Sequence, residues 1–179
     1  MAEREARDSP DAVRGLLDSG KDLLDRRPLT CVFGVAVVAR LVMALVACLV
    51  SDKYLIPDEG TYLNFAEAVS RGIEPNDLWP GYGQSFVDST RVFLLQVAAI
   101  FEVFGRQRFL AQMPAVLYGS LAAVVVTRTA MLGLRRWFAI GAGLVAALFP
   151  SQVFWSSLVL RESMIWLGLA CLVFLAAWA

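Results

Sequence analysis

The chain has 179 residues, of which 58% are hydrophobic and 18% charged, and its mean hydropathy is +0.62. Because the apolar residues come in long blocks, this composition excludes an ordinary soluble domain and predicts a polytopic membrane protein. Lys and Arg balance Asp and Glu at 16 each, which excludes the surplus of basic residues that nucleic-acid binding requires. The chain has no His, so any bound metal must be held by oxygen ligands.

The three cysteines, Cys31, Cys48 and Cys171, lie in or beside apolar runs without a CxxC pairing, which predicts reduced, packed thiols. Residues 45–48, Leu-Val-Ala-Cys, resemble a bacterial lipoprotein cleavage box. The apolar run before them is long for a signal peptide, and further apolar runs follow, so we favour a membrane span.

Residues 1–28 form a charged tail in which apolar residues recur at helical spacing among Lys and Arg. Two interpretations stay open for this tail: an amphipathic helix on the cytoplasmic membrane surface and a disordered basic segment. Residues 29–50 are long enough to cross a bilayer, and Arg26 and Arg27 before them predict a cytoplasmic N-terminus. Arg40 lies near the middle of this span and either pairs with a neighbouring helix or binds a lipid phosphate.

Residues 51–108 form the predicted exterior loop. Asp58 is expected to cap a surface helix that begins at Glu59, runs to about Arg71 and is ended by Gly72. Residues 72–89 are rich in Pro and Gly and predict a loop. The aromatic residues of this loop either stack on a sugar or anchor at the bilayer interface; they are Trp79, Tyr82 and Phe86.

The apolar run at residues 92–104 is only 13 residues long, which is short for a span. It predicts a second surface helix, capped by Ser89 or Thr90. Three further spans are expected at residues 109–132, 137–155 and 163–179. Arg128, Arg135 and Arg136 between two of them would then face the cytoplasm, as the positive-inside rule predicts. The predicted fold is therefore an all-α transmembrane bundle of about four spans with two juxtamembrane surface helices.

The order of spans and motifs between residues 29 and 179 resembles the N-terminal part of the GT-C superfamily of integral membrane glycosyltransferases. Members include dolichyl-phosphate-mannose protein mannosyltransferases, bacterial lipid A aminoarabinose transferases and oligosaccharyltransferase catalytic subunits. The motifs that carry the resemblance are Pro57-Asp58-Glu59, Val103-Phe104-Gly105, Leu134-Arg135-Arg136, Leu148-Phe149-Pro150-Ser151 and Leu160-Arg161-Glu162. The family has about seven spans, so the four expected here predict a fragment of a longer protein.

The resemblance implies a multi-pass plasma-membrane enzyme that transfers a sugar from a polyprenyl-phosphate donor on the extracytoplasmic face. It implies a catalytic carboxylate at Asp58, with Glu59 beside it, and a second acidic motif at Glu162. The alternative is a non-enzymatic membrane subunit or a half-module completed by a partner.

Transfer from a prenyl phosphate needs a base for the acceptor hydroxyl and positive charge near the departing phosphate. Asp58 is the candidate base, and the phosphate-binding candidates are Arg161, Arg91 and Arg40, because guanidinium binds phosphate in a bidentate manner. Glu59 and Glu162 would hold the acceptor or, together with Asp58, a Mg²⁺ or Mn²⁺ ion.

Overall fold

The computed structural model of the protein describes residues 27–179. The tail predicted at residues 1–28 therefore lies almost wholly outside the described residues. Within the described range the chain is all-helical and has no strand, which confirms the predicted fold class at this level. Its helices are α1 Pro28–Val50, α2 Pro57–Ser70, α3 Pro75–Leu78, α4 Gly83–Phe104, α5 Arg108–Ala111, α6 Met113–Gly133, α7 Arg136–Leu148, α8 Pro150–Trp155 and α9 Glu162–Trp178.

Two stretches of residues 27–179 are long and apolar enough to cross a membrane. They are α1, with 23 residues, and the stretch Arg108–Gly133 formed by α5 and α6, with 26 residues. The apolar helices α7 and α9 are shorter, at 13 and 17 residues. Of the four or so spans predicted, two therefore qualify by length and composition.

The helices form two layers. In the first, α6 packs against α1, α7 and α9, and α1 also contacts α7. In the second, α2 packs against α4, with α3 beside both. A buried stripe along α1 joins it to the bundle and consists of Val32, Ala36, Arg40, Ala44 and Ala47. Small residues at these positions let neighbouring helix backbones approach closely, as the sequence predicts.

The surface helix predicted after Asp58 exists, but its start differs. Pro57 occupies the first turn of α2 and no side chain caps it, so Asp58 lies within the helix rather than at its cap. Its end is as predicted. Gly72 has a φ of +68°, and the Ile73 N–H donates to the Ala68 carbonyl at 2.9 Å, a Schellman motif that requires a left-handed residue.

The second predicted surface helix is longer than expected, because α4 begins at Gly83 instead of Ser89 or Thr90. The hydroxyls of Ser89 and Thr90 do not cap a helix start. Both donate to the Phe86 carbonyl, at 2.9 and 2.7 Å, inside the continuous helix. Ser and Thr satisfy their hydroxyls in this way in helix interiors, so residue type alone indicated the wrong boundary.

The span predicted at residues 137–155 is wrong as a single helix. Phe149 leaves the helical conformation with ψ 118°, and Pro150 then starts the short helix α8. Proline disfavours a helical conformation at the residue before it, which explains the break. Residues 156–160, beyond α8, are completely or almost completely buried, and Leu158, Val159 and Leu160 share one core cluster with residues of α2 and α4. This buried segment connects the break to Arg161 and Glu162.

Candidate functional site

The two ends of the bundle are defined by contacts between distant parts of the chain. At one end, the Arg108 side chain donates to the carbonyls of Ala47 and Ser51, joining the end of α1 to the start of α5. At the other end, Pro28, Leu134 and Arg136 line one cavity. We call the first of these the Asp58 end, because α2 begins there.

Asp58 and Glu59 are adjacent in sequence but lie in opposite environments. The Asp58 side chain is exposed, whereas Glu59 is completely buried. Successive residues of an α-helix point about 100° apart, so one carboxylate faces solvent and the other faces the protein. Only Asp58 is therefore accessible to a substrate hydroxyl.

The Glu59 carboxylate is held by a network of three donor residues from two segments of the chain. Arg108 donates to both of its oxygens, from Nε at 3.0 Å and from an Nη atom at 2.7 Å. The Leu55 N–H donates at 2.9 Å and the Gln112 side chain at 3.4 Å. A bidentate guanidinium pair in a dry environment is strong and geometrically specific. In this structure Glu59 fastens α2 to α5, and its oxygens are not available to a substrate or metal.

Tyr62 lies one helical turn after Asp58, and its phenol is close enough to Asp58, Arg161 and Glu162 to be affected by their charges. It is buried, with its ring centroid 5.1 Å from that of Phe86 and 5.8 Å from that of Phe93. The pKa of Tyr62 is raised to about 12, first of all by burial; the negative charges of Glu162 and Asp58 also raise it, and Arg161 lowers it. These three charged groups from α2 and the start of α9 therefore act on the same phenol.

Arg161 and Glu162 reach this position through the buried segment 156–160. Arg161 donates to the Ser89 carbonyl at 3.0 Å and so links the start of α9 to α4. Glu162 is half-buried, and its Oε2 atom is buried without a hydrogen-bond partner. A buried carboxylate oxygen without a donor is costly, so a substrate hydroxyl or a water molecule is expected to supply one.

The other two predicted phosphate-binding residues lie in different places. Arg91 is exposed on α4, two residues after Ser89. Arg40 is completely buried and donates to Ser156 Oγ at 2.7 Å and to the Ala147 carbonyl at 2.9 Å. That carbonyl lies at the end of α7, where the break at Pro150 interrupts the helical hydrogen bonds. Arg40 thus ties α1 to the break, which matches the helix-pairing interpretation of this residue.

The three carboxylates predicted as a metal site do not converge. No group of three or more His, Cys, Asp or Glu side chains in residues 27–179 is arranged to hold a metal ion. Glu59 is engaged by Arg108, which leaves Asp58 and Glu162. The residues present therefore do not fit a metal held by all three carboxylates, and no metal-dependent step is derived for this site.

Sequence reasoning missed the contribution of Arg108, Gln112 and Ser89 to the site. Arg108 lies 49 residues after Glu59 in the chain, and no local pattern connects the two. One signal was present in the sequence: Arg108 directly precedes one apolar run, and the acidic pair Asp58-Glu59 follows the end of another. Pairing them required knowing that the two runs are antiparallel neighbours.

Comparisons of the chain with family models, with curated proteins and with solved structures find no match. The resemblance to GT-C glycosyltransferases accordingly stays a prediction from sequence motifs. Function is inferred from the chemistry of the Asp58 end of the bundle.

Proposed function

We propose that the protein transfers a sugar from a polyprenyl-phosphate donor to an acceptor hydroxyl, as part of a membrane glycosyltransferase of the GT-C type. The observation that carries the proposal is that residues 158–160, which lead directly to Arg161 and Glu162, share one buried cluster with Tyr62, one helical turn after Asp58. An exposed carboxylate that can take a proton and a guanidinium that can stabilise a leaving phosphate are the two groups that this reaction requires.

In the proposed reaction, the acceptor hydroxyl gives its proton to the Asp58 carboxylate as its oxygen attacks the anomeric carbon of the donor sugar. The bond between the anomeric carbon and the phosphate oxygen breaks, and its electron pair stays on the phosphate. Arg161 stabilises the negative charge that the leaving polyprenyl phosphate gains. Glu162 accepts a hydrogen bond from a hydroxyl of the bound sugar through its unpartnered Oε2 atom.

An apolar groove supports a donor with a hydrocarbon chain. It has a volume of about 470 Å³ and lies between α6, α8 and α9, with Val126, Trp166 and Val173 among its lining residues. Trp166 is one helical turn after Glu162, so the groove begins next to the proposed site. In this arrangement the prenyl chain would lie along the bundle and present its phosphate to Arg161.

The proposal also places the site on the extracytoplasmic face of the plasma membrane, with the N-terminus in the cytoplasm and α7–α8 and α9 crossing with α1 and α6. It treats membrane lipid as the surroundings of the bundle and leaves room for a further part of the protein or a partner subunit beside α9.

Sugar transfer in proteoliposomes tests the proposal. The donors would be undecaprenyl-phosphate-linked mannose, glucose and arabinose, each radiolabelled, with membrane extract as the source of acceptors. We expect Asp58→Asn to lower transfer by about 10²–10⁴-fold, because the amide cannot take a proton. Asp52→Asn is the matched control, since Asp52 is also exposed and precedes α2. Unchanged transfer in Asp58→Asn would remove Asp58 from the base role, whereas absence of transfer by the unsubstituted protein would favour a non-enzymatic membrane subunit.

A further inference from the structure

The segment between α2 and α4 presents two half-exposed aromatic rings. Trp79 is 50% exposed and Tyr82 is 47% exposed, with ring centroids 4.8 Å apart. Beneath them, Phe65 stacks on Trp79 at 6.5 Å with nearly parallel planes, and Phe86 lies 6.0 Å from Tyr82. We call these four residues the aromatic platform. Its upper rings expose apolar surface while its lower rings belong to the core of the α2–α4 layer.

The platform is fixed by the backbone around it. Gly83 packs so tightly against Pro75 that a Cβ atom at this position would lie 2.0 Å from the Pro75 carbonyl oxygen. The Gly83 N–H donates to the Trp79 carbonyl at 2.8 Å, and the Gln84 N–H donates to Asn76 Oδ1 at 3.1 Å. The rings are therefore held in place before any ligand binds, which lowers the entropic cost of binding.

The charge around the platform argues against an anionic ligand. Residues 74–89 contain Glu74, Asp77 and Asp88 and no Lys or Arg. Like charges repel, so this segment disfavours an anionic ligand and leaves a neutral one, such as a saccharide whose C–H face stacks on an aromatic ring.

The platform is continuous with the proposed catalytic site. Phe86 contacts Tyr62 at 5.1 Å between ring centroids, and Tyr62 is the residue beside Asp58 and Glu162. We propose that Trp79 and Tyr82 form an acceptor subsite for a neutral saccharide, which stacks on their exposed faces and extends a hydroxyl toward Asp58. This inference rests on the proposed function and names its acceptor as a glycan.

Saturation-transfer NMR on the chain in lipid nanodiscs tests the subsite without any donor. Nanodiscs replace sugar-based detergents, which would compete for the rings. The probes are mannobiose, arabinobiose and galactobiose, with digalacturonate as an anionic comparison. We expect saturation transfer to at least one neutral disaccharide. The transfer should be at least threefold weaker in Trp79→Leu or Tyr82→Leu, because a stacked aromatic ring contributes measurably to binding. It should also be weaker for digalacturonate, because the segment around the rings is acidic. Leucine keeps apolar contact with Phe65 and so protects the fold.

Trp137→Leu is the matched control, since Trp137 is 57% exposed but lies at the far end of the bundle, and it should leave saturation transfer unchanged. Absence of transfer to all three neutral disaccharides would overturn the subsite, as would equal transfer in Trp79→Leu and the unsubstituted chain.

A second measurement separates the subsite from a bilayer anchor. The chain has five Trp residues, so two single-Trp variants would keep either Trp79 or Trp137, and brominated lipids would quench the fluorescence of rings at the bilayer. We expect quenching of Trp137 and not of Trp79. Equal quenching of both would make the platform a membrane anchor and overturn the inference.

The two proposals fail in different ways. Asp58→Asn should abolish sugar transfer and leave disaccharide binding intact, because Asp58 is not part of the platform. Disaccharide binding without any transfer would retain the subsite and refute the catalytic proposal. Transfer that is lost only in Asp58→Asn, with no disaccharide binding to the platform, would refute the subsite alone.

Discussion

The two adjacent carboxylates Asp58 and Glu59 have separate roles. Glu59 is buried in a bidentate pair with Arg108, whereas Asp58 is exposed. We expect Glu59→Gln to lower the free energy of unfolding by about 3 kcal/mol or more, because it leaves the Arg108 charge buried without its partner. Asp58→Asn should change it by less than about 0.5 kcal/mol, as exposed substitutions usually do. Equilibrium unfolding in mixed micelles compares the variants, and equal costs would contradict the assignment.

The Tyr62 phenol reports directly on the proposed site. Because its pKa is raised to about 12 in the folded protein, against about 10 in an unfolded chain, the folded state holds this proton longer as pH rises. Tyr62 therefore contributes stability below about pH 10, and that stability is lost as pH rises to about 12. The absorbance of wild type minus Tyr62→Phe at 295 nm should show this late titration.

The same difference spectrum tests the arrangement of charges. Asp58→Asn and Glu162→Gln should each lower the pKa of Tyr62, because each removes a negative charge that opposes the phenolate. Arg161→Gln should raise it. Asp52→Asn serves as the control. A Tyr62 titration that none of the three variants moves would show that the charged residues do not share its neighbourhood.

The sequence pattern predicted a shared role for Asp58 and Glu59 and did not predict that one is exposed and the other buried. Sequence shows two acidic residues after an apolar run and favours a shared site. Their burial depends on which helix face meets Arg108 and Gln112, which belong to a distant part of the chain. The exposure of Asp58 and the burial of Glu59 result from tertiary packing, which cannot be predicted from the local motif Pro57-Asp58-Glu59.

At the scale of elements, the α6–α7 contact depends on one glycine. A Cβ atom at Gly143 would lie 1.8 Å from Thr127 Oγ1 and 2.9 Å from Thr127 Cβ, whereas one at Gly141 would meet nothing within 4 Å. We expect Gly143→Ala to destabilise the protein by about 1–3 kcal/mol, the usual cost of overpacking. Gly141→Ala should be neutral or stabilise it by about 0.5–1 kcal/mol, since Ala favours helix.

Thermal unfolding in the same micelles measures this pair. Gly141→Ala is the matched control, because both residues lie in α7 and receive the same methyl group. Similar stabilities for the two variants would mean that α6 and α7 do not approach as closely as the Gly143–Thr127 contact requires. The sequence predicts that both glycines belong to a small-residue packing face, but only Gly143 lies against a neighbouring helix.

Element boundaries follow the sequence where a residue enforces a backbone conformation and depart from it elsewhere. Gly72 ends α2 as predicted, because its positive φ requires glycine. Pro150 breaks the third apolar run although hydrophobic periodicity continues through it. The start of α4 was misplaced by six or more residues, because Gly83 packs on Pro75 in a contact that local composition does not indicate.

At the scale of the whole molecule, the helix directions place the acidic motifs together. α1 ends where α5 and α6 begin, through the Arg108 contacts with Ala47 and Ser51, so α6 runs antiparallel to α1. α7 then returns toward the Asp58 end, where α8 and residues 156–160 lead to Arg161. Arg135 is left at the opposite end. The sequence predicted this alternation from charge, and packing supplies the contacts that produce it.

Cysteine labelling in intact cells tests whether a membrane separates these two ends. Cys31, Cys48 and Cys171 would first be replaced by Ala, because all three are partly accessible. Single cysteines would then be placed at Asp58, Arg135 and Glu162 and treated with a membrane-impermeant thiol reagent. We expect labelling at 58 and 162 but not at 135, since the positive-inside rule places Arg128, Arg135 and Arg136 in the cytoplasm.

Permeabilised cells supply the control, because position 135 should become reactive when the reagent can enter. A cysteine at Leu169 within α9 should label in neither case, since this residue is exposed on the apolar face of a helix that we propose to lie in lipid. Labelling at 135 and 58 together would mean that α6 does not cross or that α4 crosses as well. Labelling at 58 without 162 would place the two carboxylates on opposite sides of the membrane, and a shared catalytic site would then be impossible.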